Sequence, residues 1–130
     1  MRKAIAAAVA LLVLASAGIG SALSAEDELD NDLMQAIEDS NKSLASYIAT
    51  KDQKGATTDA NDLAKMFETV ETFYVKKGDA ADAVELAKKS RELTAQILKQ
   101  VSTKNFDAAT DTATTLSRTC KTCHNFYKKS

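Results

Sequence analysis

Residues 59–101 read DANDLAKMFETVETFYVKKGDAADAVELAKKSRELTAQILKQV, and this stretch decides the fold. Its apolar residues recur at steps of three and four on both sides of a single glycine. Before Gly78 the inward set is Leu63, Phe67, Val70 and Tyr74. After it the set is Ala83, Leu86, Ser90, Leu93, Ile97 and Val101. A period near 3.6 residues places each set on one face of an α-helix. Glycine most easily adopts the left-handed conformation that closes a helix, so Gly78 separates the two. The spacing predicts one helix from about Asp59 to Lys77 and another from about Asp79 to Val101. Thr57, Thr58 and Asp59 can cap the first of these. Gly55 is expected ahead of it, between helices.

Working outward, the same period continues on both sides. A helix is predicted from about Glu28 to Thr50, with Leu33, Ile37, Leu44 and Ile48 on one face and Met34 at its edge. A last helix is predicted from about Asn105 to Lys128. Its stripe is Phe106, Ala109, Ala113, Leu116, Cys120, Cys123, His124 and Tyr127. Proline is absent, and no run of alternating β-branched residues reads as a strand. The links between the four segments are short, which makes successive helices antiparallel neighbours. The expected architecture is an all-α, up-down-up-down antiparallel four-helix bundle.

The N-terminus reads differently. Arg2 and Lys3 precede an apolar run from Ala4 to about Ala17, followed by small residues around Ser21 to Ala25. That order marks a cleavable secretory signal over residues 1–25, with the helical domain over 26–130. Cleavage after Ser24 leaves Ala22 and Ser24 at the two small positions; cleavage after Ala25 is the alternative. The run is short for a bilayer span and is followed directly by a charged segment, which disfavours a retained anchor. Export therefore implies a periplasmic protein with no membrane association after cleavage. The chain of 130 residues carries a formal net charge of −1, and losing Arg2 and Lys3 takes it to −3. A mildly acidic domain without an Arg-rich stretch excludes nucleic acid as a partner class.

The chemistry is concentrated in one turn near the C-terminus: Cys120-Lys121-Thr122-Cys123-His124. This is C-x-x-C-H, the attachment pattern of c-type haem. Two thiols must reach the two vinyl groups on one edge of a porphyrin, and an adjacent imidazole must reach its iron. Positions i, i+3 and i+4 of a helix share one face, so this spacing meets the requirement. A structural zinc site would need four ligands, and these three are the only Cys and His in the chain. A thioredoxin-like dithiol normally opens a helix in a βαβ setting, which is absent here. A plain disulfide would leave the histidine without a role. The motif and the export signal support each other, because haem of this kind is attached after export in bacteria.

An export signal, four helices and C-x-x-C-H in the last turns together make the chain resemble the class II c-type cytochromes, the cytochrome c-prime family and its low-spin relatives. Tyr127 and Lys128 stand three and four places after the histidine, where that family tends to carry an aromatic and then a basic residue. The resemblance implies a four-helix bundle with one covalent haem c beside the C-terminal helix. Cys120 and Cys123 would hold the haem covalently, and His124 would ligate its iron. The chain departs from the family between the second and third helices, where many members have a long connection and this one has almost none. The dimer contacts of those longer members therefore do not carry over, and a homodimer stays open.

His124 is the only histidine, so a bis-histidine haem within one chain is excluded. The sixth position is left to Met, Lys, water, a gas or nothing. The resemblance favours Met34, since the low-spin branch takes its second ligand from a methionine early in the first helix. Met66, beside Leu63 and Phe67, reads as core. With Met34 bound, the expected function is electron transfer. With an open or labile sixth site, the alternative is a protein that binds nitric oxide or carbon monoxide. No catalytic constellation accompanies the motif, so no enzyme is expected. Lys121, Lys128 and Lys129 would form a basic rim for an acidic redox partner, or simply complement the helix dipole.

Overall fold

The computed structural model describes residues 29–127, with side chains through residue 125. The signal segment 1–25, Glu28, Lys128, Lys129 and the side chains of Phe126 and Tyr127 lie outside what it describes. Four helices and no strand make up the described residues: α1 Asn31–Ala49, α2 Gln53–Lys77, α3 Ala81–Ser102 and α4 Phe106–Tyr127. Each helix packs on its neighbours in sequence, and α1 closes the ring against α4. This is the all-α four-helix bundle. None of the four helices is long and apolar enough to cross a membrane.

The second helix begins six residues before its expected start, and Gly55 lies in its first turn rather than between helices. The cap is Asp52, whose carboxylate accepts the Gly55 N–H at 3.0 Å. Thr57 and Thr58 do not cap. Their hydroxyls donate to the carbonyls of Gln53 and Lys54 one turn back, and the Asp59 carboxylate takes the Ser43 hydroxyl of α1. Gly55 is tolerated because its bare Cα lies under the ring of Tyr47, where a Cβ would come within 2.5 Å of the ring edge. Gly78 behaves as expected: it caps α2 at φ +77°, and its N–H donates to the Tyr74 carbonyl at 3.1 Å.

The other two connections are matching turns, Thr50-Lys51-Asp52 and Thr103-Lys104-Asn105. In each the lysine is left-handed, at φ 57° and 58°. The next residue's N–H reaches back to the carbonyl five positions earlier, Tyr47 and Gln100, at 2.8 Å in both cases. That is the Schellman closure, built here on lysine instead of glycine. Each turn then supplies the acidic or amide cap of the following helix: Asp52 for α2, and Asn105, whose Oδ1 accepts the Ala108 N–H at 3.3 Å, for α4.

Core residues follow the expected stripes with one change of phase. Ile37, Leu44 and Ile48 of α1 and Leu63, Phe67, Val70 and Tyr74 of α2 are buried as anticipated. On α3, Ala87 and Thr94 are buried, while Leu86 and Leu93 are only partly covered. Ala83, Ser90, Ile97 and Val101 stay buried as expected, so α3 is turned by only a fraction of one position, which brings Ala87 and Thr94 to the centre. Four hydroxyls are buried in the core, Ser90 and Thr94 from α3 and Thr112 and Thr119 from α4. Each donates to the carbonyl four residues back on its own helix, at 2.8–3.1 Å, so none is buried unpaired.

Candidate functional site

A small cleft of about 30 Å³, partly open to solvent, lies at one end of the bundle. Every helix contributes to its wall: Met34 and Ile37 from α1, Phe67 and Val70 from α2, Leu86, Ala87 and Ser90 from α3, and Cys120, Cys123 and His124 from α4. These positions lie early in α1, late in α2, early in α3 and late in α4. That is the arrangement an up-down-up-down path requires. The wall is apolar apart from the thiols, the imidazole and the Ser90 hydroxyl, whose proton goes to the Leu86 carbonyl at 2.8 Å. No acidic side chain lines it.

The change of phase on α3 gives Leu86 its place. One position away from the best-buried stripe, it turns toward the cleft and stays partly exposed. Met34, Cys120, Cys123 and His124, which also line the cleft, are partly exposed. The fully buried large side chains, Leu44, Leu63, Ile97, Leu116, Val101 and Thr94, close the bundle elsewhere. Of the wall residues, Ile37, Phe67, Val70, Leu86 and Ser90 read on sequence only as ordinary helix stripes, and Ala87 lay outside the expected stripe. Met66 is packed against the core and does not line the cleft.

Helix geometry sets Met34 level with His124. Asn41 Nδ2 donates to Ser117 Oγ at 3.1 Å, joining α1 to α4. Met34 lies seven residues before Asn41, and His124 lies seven after Ser117. Seven residues are close to two full turns, about 10 Å along the axis, and return to nearly the same face. Because α1 and α4 run in opposite directions, both steps lead toward the cleft. Met34 and His124 are therefore at a similar height along the bundle, and both line the cleft.

Cys120 and Cys123 are not joined in a disulfide. Burial pushes the Cys120 thiol up to about 11, with the neighbouring Cys123 adding to the rise. Burial raises the Cys123 thiol as well. Reactive dithiols of the thioredoxin type have lowered values, so this pair is poor as a redox nucleophile at neutral pH. Among the described residues no three His, Cys, Asp or Glu side chains are placed to hold a metal ion between them, so the zinc arrangement finds no partners. No hydrogen bond among the described residues engages the His124 imidazole. Lys121 is exposed on the same turn.

The residues present fit a c-type haem. Two thiols and an imidazole share one helix face, an apolar cleft adjoins them, and a thioether lines the same cleft. No protein-family model, curated protein or solved structure matches the chain.

Proposed function

We propose that this protein is a monohaem c-type electron carrier of the periplasm, with the haem held in the cleft between the four helices. The observation that carries the reading is the convergence of Cys120, Cys123, His124 and Met34, from the two ends of the chain, on one apolar cleft. Cys120 and Cys123 would anchor the group by thioether bonds, and His124 and Met34 would serve as axial ligands. Bound there, a Met/His haem supplies a one-electron couple of raised potential.

The chain's own contribution is positional and dielectric. Ile37, Phe67, Val70 and Leu86 make the wall of the cleft apolar, and its lack of acidic groups favours the less charged, reduced state. The stiff bundle holds both ligands in place, so little has to rearrange when the charge changes. Export through the segment 1–25 belongs to the proposal, because attachment takes place outside the cytoplasm. So does a basic docking rim, to which the exposed Lys121 would contribute.

Absorption spectra of the exported protein, oxidised and reduced, with and without carbon monoxide, test the reading. A low-spin c-type spectrum unmoved by carbon monoxide is expected. Met34→Ala should convert it to a high-spin, carbon monoxide-binding form. A parent protein that is already high-spin and takes up carbon monoxide would replace electron transfer with the gas-binding function. No haem absorption, from a host able to mature cytochromes c, would refute the proposal.

A further inference from the structure

We propose that Asn41 and Ser117 are positioning residues for the Met34–His124 pair, their hydrogen bond holding α1 and α4 in the register that sets thioether and imidazole level. The inference rests on the haem reading above. Three of the four neighbouring helix pairs are joined by a turn of three residues, and these turns limit how far one helix can slide along the next. The pair α1 and α4 has no such link, because its members begin and end the bundle. It is also the least extensive of the neighbouring contacts. Side-chain contacts across this seam therefore add to the register that the three turns impose on the ring.

Apolar attraction is non-directional. A directional bond does not tolerate the shift. The Asn41–Ser117 bond spans this seam at 3.1 Å, two turns from the cleft on both helices. A slip of one turn moves the helices by about 5 Å, which would carry Met34 out of reach of any group centred on His124. The bond links helix register to the strength of the sixth ligand. Its loss would loosen Met34 and leave the bundle folded.

The test uses the ferrous holoprotein with carbon monoxide, which competes with Met34 for the iron. Asn41→Ala and Ser117→Ala should each raise the apparent carbon monoxide affinity on the order of fivefold. The exchange Asn41→Ser with Ser117→Asn, which rebuilds the bond in reverse, should return it to the parent value. Amide exchange at residues 33–37 should quicken in the single variants and recover in the exchanged one. Single variants that lower the melting temperature but leave both carbon monoxide affinity and amide exchange unchanged would overturn the proposal. If the parent already binds carbon monoxide as tightly as Met34→Ala, the ligand reading has failed. Amide exchange at 33–37 then decides on its own whether the bond holds the register.

Discussion

Replacing Gly55 by alanine is expected to destabilise the bundle by about 1 kcal/mol, opposite to the usual result for a glycine within a helix. Gly55 lies in the first turn of α2 with no positive φ, so the backbone accepts alanine without strain. Helix propensity alone would then gain up to about 1 kcal/mol. Against this, the new Cβ would lie 2.5 Å from Cδ1 of Tyr47 and 2.7 Å from its Cε1 and Cγ. The atoms involved include the base of the ring, so the whole side chain must move by about an ångström or swing into solvent. Overpacking of this kind costs about 1–3 kcal/mol. Tyr47 is 37% exposed and has a partial escape, which places the cost near the middle of that range. The net is a loss of about 1 kcal/mol. In a Tyr47→Ala background the clash is gone, and the same substitution should stabilise by up to about 1 kcal/mol. Urea unfolding followed by helical circular dichroism on the four proteins yields a coupling energy of about 2 kcal/mol. If Gly55→Ala stabilises equally in both backgrounds, the ring does not press on the glycine and this account of the α1–α2 hairpin is wrong.

Two further outcomes follow from other positions. Gly78→Ala should cost about 1–2 kcal/mol, because the residue sits at φ +77° and a Cβ there is strained; Gly78→Asn should cost less, and equal losses for the two would contradict a backbone cause. In haem-free protein the Cys120 thiol keeps its proton up to about 11, against an ordinary value of 9.0. Between those values the folded chain binds more protons than the unfolded one, so stability is fully present below about pH 9 and falls as pH rises toward 11. Urea midpoints across that interval should fall in the parent and fall less in Cys120→Ser; a rise in the parent would reverse the sign of the argument.

The features legible in the sequence were those set by local repetition. Four apolar stripes of helical period fall where α1 to α4 lie, and the α2 stripe of Leu63, Phe67, Val70 and Tyr74 is buried residue for residue. Gly78 announced its turn because only a left-handed cap needs a glycine there. Cys120, Cys123 and His124 share a face because i, i+3 and i+4 do so on any helix. Helix boundaries were less legible. The start of α2 was missed because Gly55 resembles a breaker until Tyr47 is seen to lie over it, and because Lys51 and Lys104 close turns that usually need glycine.

The tertiary structure decided what depends on more than one helix. Whether Leu86 or Ala87 faces the centre of the bundle turns on a rotation of α3 by a fraction of one position, which a stripe of mixed Ala, Ser, Thr and Leu does not specify. The pairing of Met34 with His124 lies furthest from the sequence. These residues are ninety positions apart, on the first and last helices, and no turn relates them. Periodicity assigns each to a face but leaves the height of one helix against the other free. That height is set by contacts across the α1–α4 seam, with the Asn41–Ser117 bond among them, and such contacts exist only once the chain has folded.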